Sequence, residues 1–266
     1  MRESEVLLEE LTERLRRVEP FVLLFSGGVD SSVLAAVAKR ASLQFALLFA
    51  DSALVPRRQL QKARDIADRL HIALHILPNP ALSEPLFRAN PPERCYICRR
   101  HICRLAKSLA DRLGYASIVD GTNRDDLNDF RPGMKASYEA GVVHPLLDAG
   151  VSKKQIRSLA AFLNLPNADD YPEACLASRF VTGVRIDEGL LRRVEEAEEY
   201  LLSLGFVGCR VRCHGDLARI ELRTAGDIRR ITGRIRQLIT TKLRQIGFRF
   251  VTLDLQGYRP AGSHKD

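Results

Sequence analysis

Four kinds of segment are missing from this sequence of 266 residues. No run of eighteen or more apolar residues occurs, so a membrane-spanning helix is not expected. The charged, amphipathic N-terminus lacks the apolar core and small-residue cleavage site of a secretory signal. An internal repeat and a low-complexity segment are missing too. These absences predict a cytoplasmic protein, and the hydrophobic content of 45% supports one large core or two small ones.

A long basic run is also missing, although the net charge is +8 and the isoelectric point is about 9.4. A basic balance suits an anionic partner such as a nucleotide or RNA. Scattered positive charge is equally typical of a solvated surface. The charge alone leaves both interpretations open.

Short apolar runs alternate with helical patterns over the first two thirds of the chain. The runs at 21–25, 44–50, 72–77 and 116–120 have the continuous apolar character of strands buried on both faces of a parallel sheet, and 142–146 is a candidate fifth strand. Helical patterns lie between them, at about 30–40, 56–70, 95–113 and 152–163. This order predicts an α/β fold with a doubly wound parallel sheet and a ligand at the carboxyl ends of the strands.

The pattern changes after residue 182. A charged helix at 187–204 precedes strand-like runs at 208–214 and 217–223, a helix at 226–246 and a strand at 248–255. We therefore predict a first domain at 1–182, a small α+β domain at 183–258 for substrate binding or oligomerisation, and a disordered tail at 259–266.

The stretch SGGVDSS, residues 26–32, combines the features of an anion-binding loop. Gly27 and Gly28 let the backbone approach an anion, and the helix N-terminus that follows favours negative charge. Asp30 suits a site where Mg²⁺ lies between a carboxylate and phosphates. A glycine turn with one capping Ser or Asp is the alternative, but it does not explain the whole cluster. The lysine of the Walker motif GxxxxGK[ST] is missing.

SGGVDSS resembles the PP-loop of the ATP pyrophosphatases, SGGxDS[ST]. The resemblance implies that the loop holds the β,γ-pyrophosphate while the α–β bond breaks, which explains the missing lysine, because the γ-phosphoryl group is not transferred. FADSAL (49–54) and VDGTNRDD (119–126) are similar to the family's adenine segment and second loop. The ATP and Mg²⁺ residues implied are Ser26, Gly27, Gly28, Asp30, Ser31, Ser32, Ser52, Gly121, Thr122 and Arg131.

Four more stretches resemble the LarE family of ATP-dependent sulfur transferases: DFRPGMKA (129–136), EACLASRF (173–180), RVRCHGDLARIELR (210–223) and GFRFVTLDL (247–255). The likeness covers nearly the whole chain. It implies adenylation of pyridinium-3,5-dicarboxylic acid mononucleotide and displacement of AMP by a sulfur nucleophile. The product is a thiocarboxylate used for the nickel-pincer nucleotide cofactor. A homo-oligomer is also expected.

The six cysteines indicate metal binding or catalysis rather than disulfides, because no secretory signal is present. Cys95 and Cys98 form a CxxC pair. Together with Cys175 they resemble family members whose three thiolates hold a [4Fe–4S] cluster with one open iron. In another branch of the family, the cysteine at the position of Cys175 gives up its own sulfur. Two other interpretations of the CxxC pair stay open. One is a redox pair, and the other is a zinc site with His101 or Cys103 as its fourth ligand.

The same resemblance implies further site residues. Ser178 and Arg179 join Cys175 as catalytic residues. Arg210 and Arg212 match the substrate-phosphate site, and their alternation on a predicted strand puts both on one face. Acidic positions of a metal site correspond to Glu198, Glu221 and Asp227, although a solvated helix face is the alternative for Glu198.

The remaining candidates have ordinary structural interpretations. His144 is expected in the core, and Cys103, Cys209 and Cys213 are expected to be small, partly buried side chains. The rival functions are a tRNA thiolase of the same superfamily, an ammonia-using ligase and a nucleotide-sensing or iron–sulfur module without activity. The cysteine trio disfavours the ligase, and Asp30 disfavours the sensor. Because zinc-ribbon CxxC pairs at the ends are missing, nucleic acid is not the expected partner.

Overall fold

The computed structural model of the chain describes residues 2–128 and 132–258. Arg131 and the predicted tail at 259–266 lie outside the described residues. The helices are α1 (Arg2–Arg16), α2 (Val29–Arg40), α3 (Arg57–Arg69), α4 (Pro85–Arg88), α5 (Arg94–Leu113), α6 (Pro132–Glu139), α7 (Pro145–Asp148), α8 (Lys153–Phe162), α9 (Glu188–Ser203), α10 (Ala225–Arg230) and α11 (Gly233–Ile246). The strands are β1 (Phe21–Leu24), β2 (Phe45–Asp51), β3 (Leu74–Pro78), β4 (Ser117–Val119), β5 (Arg210–His214), β6 (Leu217–Glu221) and β7 (Phe250–Leu253).

Four parallel strands form the larger sheet, in the order β3-β2-β1-β4. Its two faces have separate cores. Phe21 and Leu23 of β1 pack with residues of α1, α2, α3 and α8, whereas Val22 and Leu24 pack with α5. Successive residues of a strand point to opposite faces, so the all-apolar sequence FVLL serves both cores. The doubly wound α/β prediction is confirmed.

The candidate fifth strand is reduced to one bridge, in which Val143 pairs with Val119. The backbone of Val143 exchanges hydrogen bonds with Asp120 and Ile118, and then the short helix α7 begins at Pro145. Proline has no N–H for a strand ladder and suits the first turn of a helix, which ends the pairing after one residue.

The chain divides into two compact units. The first contains the described residues up to Phe87 and those of Glu93–Glu173, and the second contains Arg88–Pro92 and the described residues from Ala174 on. The sequence-based domain ranges, 1–182 and 183–258, stay a prediction.

The second unit contains the smaller sheet, in the order β5-β6-β7. β5 and β6 are antiparallel, and β6 and β7 are parallel. Helix α9 packs against β5 and α11. The helix predicted at 226–246 is two helices, because α10 ends at Arg230 and α11 restarts after Thr232, its N-cap. Gly233 has a positive φ of 46°, which glycine adopts without a steric penalty.

Candidate active site

The phosphate loop, defined as residues 26–32, leaves the carboxyl end of β1 and runs into α2. Gly27 has a φ of 72°, and a Cβ there would lie 2.9 Å from the backbone N and Cα of Ala63. This position therefore needs glycine for its backbone conformation and for the close approach of α3. Gly28 is the N-cap of α2 and no side chain caps that end. The helix N-terminus is thus a site where an anion is favoured.

The serines of the phosphate loop brace its backbone. Ser31 Oγ accepts from the N–H of Ser26 at 3.3 Å and donates to the carbonyl of Gly28 at 3.1 Å. Ser32 Oγ donates to the same carbonyl at 2.9 Å. Ser26 Oγ accepts from the N–H of Gly28 at 3.2 Å. The hydroxyls predicted to bind pyrophosphate also hold the loop in shape.

Two residues that sequence reasoning missed fix the loop from outside. Buried Asn167 donates from Nδ2 to the carbonyl of Gly27 and to Ser32 Oγ, each at 3.0 Å. Gln59 of α3 donates to the carbonyl of Ser26 at 3.1 Å. Neither residue belongs to a recognisable motif, so only the folded chain reveals them.

Asp30 has a cationic partner from a distant part of the chain. Lys153 Nζ lies 2.5 Å from Asp30 Oδ2, and Asn123 Nδ2 lies 3.4 Å from Asp30 Oδ1. Lys153 is the first residue of α8, whose start is fixed by a capping box between Ser152 and Gln155. The loop thus has a lysine after all, supplied by another helix. The SxxQ pattern predicts a helix start at Ser152 but does not tell which site the helix faces.

A buried ionic network lies beside Asp30, at the end of β4. Asp120 accepts from His144 Nδ1 at 2.7 Å, from the N–H of Thr122 at 3.0 Å, and from Arg99 Nη2. Burial acts to raise the pKa of Asp120, but the hydrogen bond from His144 and the charge of Arg99 outweigh it, so this pKa is lowered. His144 is buried, as predicted, and it contacts this carboxylate through Nδ1.

Gly121 belongs to the loop at 119–126, which follows β4 and passes close to the start of α2. A Cβ at Gly121 would come within 2.9 Å of the backbone N of Ser31 and 3.0 Å of Asp30 Cβ. The backbone therefore needs glycine here for close approach. Thr122 follows it and lines the same cavity.

A cavity of about 570 Å³ opens at the carboxyl ends of β1, β2 and β4. Its polar lining includes Ser26, Asp30, Ser31, Arg99, Asp120, Thr122, Asn123 and Lys153, and its apolar lining includes Leu24, Leu48, Phe49, Val55 and Ile102. A smaller cavity of about 110 Å³ surrounds the phosphate loop, with Lys62 and Lys153 in its wall. An apolar wall for a base beside a loop for phosphates is an arrangement suited to a nucleotide.

Ser52, predicted to contact ATP, follows β2. Its Oγ accepts from the N–H of Leu54 at 3.3 Å, and its carbonyl accepts from Arg57. Phe49 and Val55, on either side of it, line the larger cavity.

Cys95 and Cys98 lie in the first two turns of α5. Cys95 is exposed and Cys98 is half-buried. Their spacing of three residues puts both thiols on one side of the helix, close to its N-terminus. Cys98 Sγ accepts from Asn79 Nδ2 at 3.3 Å. Two neighbouring sulfurs in such a setting fit the ligand chemistry of an iron–sulfur cluster.

Cys175 is exposed in the second unit, directly before a short 3₁₀ helix, Leu176–Arg179. Arg179 is fully buried and forms a bidentate pair with Glu198, at 2.9 and 3.0 Å. Its Nη1 donates to the carbonyls of Ala174 and Cys175 and to Ser178 Oγ. Arg179 thus holds the backbone around Cys175.

The two predicted phosphate ligands lie on one face of β5, as their alternation predicts. Arg212 donates to the carbonyl of Ser178 at 2.6 Å and pairs with Glu221 at 3.0 Å. Arg210 is buried, and its guanidinium lies 5.3 Å from the ring centre of Tyr258. Arg219 of β6 is directly opposite Arg212, and Glu221 binds both of them. Like charges that lie directly opposite each other on neighbouring strands repel. The Glu221 carboxylate, shared by Arg212 and Arg219, offsets this repulsion.

The predicted acidic metal residues of the second unit each bind an arginine. Glu198 pairs with Arg179, Glu221 with Arg212, and Asp227 with Arg230 at 3.1 Å. Glu198 is buried rather than part of a solvated helix face, and it also accepts from the N–H of Val211. In residues 2–128 and 132–258, no group of three His, Cys, Asp or Glu side chains is arranged to hold a metal ion. The metal role of these acids stays a prediction.

The three cysteines without an assigned role, expected to be partly buried, are buried. Burial raises the pKa of the Cys103 thiol and of the Cys213 thiol. A helix long and apolar enough to cross a membrane is missing from the described residues.

A glycine-rich loop that leads into a helix, an aspartate in the first turn and a nucleotide-sized cavity at the strand ends define a PP-loop ATP pyrophosphatase. A family model described as thiamine biosynthesis protein (ThiI) matches residues 18–164. The pyridinium-3,5-bisthiocarboxylic acid mononucleotide synthase of Lactiplantibacillus plantarum is 33% identical over 253 residues, which cover 94% of this chain and 90% of that protein. The chain therefore belongs to the LarE family of ATP-dependent sulfur transferases, and it is an enzyme.

Two further proteins are similar to this chain. An uncharacterized protein of Synechocystis is 36% identical over 259 residues, 96% of both chains. The structure of NMN synthetase from Francisella tularensis has the same fold, with a TM-score of 0.51, 19% identity, and coverage of 75% of this chain and 85% of that one. The second likeness concerns the fold alone.

Proposed function

We propose that this enzyme converts the carboxylates of pyridinium-3,5-dicarboxylic acid mononucleotide into thiocarboxylates, with ATP as activator. The Lactiplantibacillus relative is a synthase of the corresponding bisthiocarboxylic acid mononucleotide. The observation that carries the proposal is the set of thiols: exposed Cys175, and the neighbouring pair Cys95 and Cys98, in a chain with an ATP site. A ligase that uses ammonia needs none of them.

The first step is adenylation. A substrate carboxylate oxygen attacks the α-phosphorus of ATP, the bond to the β-phosphate oxygen breaks, and pyrophosphate leaves with the electron pair. The N-terminus of α2 faces the negative charge that develops on pyrophosphate, and Lys153 adds a positive charge there. Asp30 is the carboxylate suited to hold Mg²⁺ against the phosphates.

The second step replaces AMP by sulfur. A sulfur nucleophile attacks the acyl carbon, the carbon–oxygen bond to AMP breaks, and the thiocarboxylate and AMP are the products. Cys95, Cys98 and Cys175 would hold a [4Fe–4S] cluster, which would be the source of that sulfur. Arg179 would keep Cys175 in place by holding the carbonyls on both sides of it.

The phosphate of the substrate would lie on the cationic face of β5. Arg210 and Arg212 point to that face, and Arg219 adds a third guanidinium. A guanidinium group can donate two parallel hydrogen bonds to two oxygens of one phosphate. Arginines therefore suit the phosphate group of a mononucleotide. We further propose that the enzyme forms a homo-oligomer, as the family resemblance implies.

Anaerobic turnover followed by intact mass tests the sulfur source. The protein is purified without oxygen, reconstituted with iron and sulfide, and given ATP, Mg²⁺ and the dicarboxylate nucleotide. An unchanged protein mass with several thiocarboxylates per chain supports the cluster. A loss equal to one H₂S at Cys175 would mean that this cysteine is consumed, while the adenylation proposal stands. Pyrophosphate release without the nucleotide substrate, or none with it, contradicts the substrate assignment.

A further inference from the structure

Asn79 lies at the carboxyl end of β3, where the chain turns toward α5. It is buried, and its backbone N–H donates to the carbonyl of Asp51 at 2.7 Å. Its Oδ1 accepts from the N–H of Ala81 at 3.1 Å and so caps the 3₁₀ helix Pro80–Ser83. Both backbone and side chain of Asn79 are therefore fixed.

The cap decides which end of the amide faces the cysteine. Because Oδ1 binds the N–H of Ala81, the Nδ2 end is directed at Cys98, 3.3 Å from its Sγ. An amide N–H can only donate, so the sulfur is the acceptor. This arrangement suits a sulfur that carries negative charge or binds a soft metal.

A second contact holds the same segment against α5 one turn further on. Glu84 Oε2 lies 2.6 Å from His101 Nε2, and its other oxygen accepts from Arg100 Nη2 at 3.2 Å. Cys98 and His101 are three residues apart, so the segment from Asn79 to Glu84 is attached along one side of the helix. A donor to Cys98 is thus built into the fold and is not a chance contact of a surface loop.

We propose that Asn79 is a positioning residue for Cys98 as a ligand of a soft metal, through its N–H···S bond. The inference rests on the proposed function, because that function makes Cys98 a cluster ligand. Donors outside the ligand shell orient the ligand and stabilise charge on its sulfur, so the reduced, more negative cluster gains most. If Asn79 had a structural role alone, its only task would be to cap the 3₁₀ helix by accepting the N–H of Ala81.

The substitution Asn79→Asp separates the two roles. Aspartate keeps an oxygen for the cap on Ala81 but has no N–H for Cys98, and its charge repels the sulfur. We expect the reduction potential of the reconstituted cluster to fall, and loss of iron to a chelator to be about 10-fold faster. Asn79→Ser, with a hydroxyl for the cap and no added charge, should move both quantities in the same direction by less. Exposed Asn164→Asp, the same chemical change elsewhere in the unit, should leave both unchanged.

Several outcomes would overturn the proposal. One is an Asn79→Asp variant whose cluster has the reduction potential of the wild type and loses iron to the chelator at the wild-type rate, with an unchanged melting temperature. Another is a wild-type protein that takes up no cluster on Cys98. If the variants fold poorly, the bond is tested in the wild-type protein, with ¹⁵N in its asparagine side chains. Electron–nuclear double resonance is recorded on the reduced cluster. The absence of any coupling to ¹⁵N or to its exchangeable protons contradicts the hydrogen bond from Asn79 to Cys98. Thiocarboxylate formation is measured separately, so a failure of the positioning role can be distinguished from a failure of the proposed function.

Discussion

Arg179 is the largest of the fully buried side chains, and its charge is matched by Glu198. Within the described part of the chain, the guanidinium donates to Glu198 through two nitrogens and to residues 174, 175 and 178. Lysine keeps the charge but cannot form the bidentate pair. We expect Arg179→Lys to lower the free energy of unfolding by about 3 kcal/mol, since the buried Glu198 carboxylate loses one of its two charge-assisted hydrogen bonds and carbonyls near Cys175 lose their donor.

Guanidinium chloride unfolding measures this loss. Arg192→Lys is the matched control, because Arg192 is exposed and pairs with Glu188 one turn away. Such surface pairs contribute about 0.3–0.5 kcal/mol. Equal losses in the two variants would contradict a special role of the buried pair.

Lys153 is a cation of α8 whose ion-pair partner, Asp30, lies in the phosphate loop. It lines the cavity around that loop, where its amine can face bound phosphates. We expect Lys153→Gln to slow pyrophosphate release about 100-fold, the typical effect of removing one group that stabilises transition-state charge.

The adjacent Lys154→Gln provides the control. Lys154 is exposed and does not line the ATP cavity. Single-turnover release of labelled pyrophosphate distinguishes the two variants. Identical rates would show that Lys153 is no more than a structural partner of Asp30.

At the scale of elements, Asp120 joins β4 to α5 and to the segment before α7. Its pKa lies below the ordinary value of 3.8, so the stability it provides is present above that value and is lost as the pH falls through the folded-state pKa. We expect Asp120→Asn to cost about 3 kcal/mol near neutral pH and less in strong acid. Urea unfolding over a pH series measures both effects.

Asp111→Asn is the comparison for Asp120. Asp111 pairs with Lys107 on the exposed side of α5. Its substitution should change stability by less than about 1 kcal/mol at every pH. A loss for Asp120→Asn that does not shrink in acid would contradict the ionic origin of the stability.

The elements themselves were largely predictable. The four apolar runs became the parallel strands. β1 and the centre of β2 are buried on both faces, whereas β3, at the edge of the sheet, is only half-buried. The loop at 26–32 follows β1 and leads into α2, as its sequence predicts. The break between α10 and α11 was missed. The sequence on both sides of it has a helical pattern, and only Thr232 and Gly233 mark the interruption. Lys153 and Asn167 were missed for another reason: their contacts join residues more than 120 positions apart, and no local pattern encodes them.

For the whole molecule, the charge of +8 bears on the rival tRNA thiolase. Scattered basic residues attract any polyanion, but that attraction depends on released counterions. We expect weak tRNA binding at about 50 mM salt that disappears by about 200 mM, with no preference over unrelated RNA. Gel shifts at the two salt concentrations test this, with RNA of random sequence as the control. Binding to one tRNA that survives the higher salt would favour the thiolase.

The clamp of Asn167 on the phosphate loop has a consequence for biosynthesis. The amide that holds Gly27 is 140 residues further along the chain. A ribosome therefore releases SGGVDSS long before it adds the side chain that completes the loop. A nascent chain that ends before Asn167 should lack the finished loop, so ATP capture marks a chain whose first unit, which ends at Glu173, is nearly complete. Nucleotide can then stabilise the folded first unit without trapping its unfinished precursors.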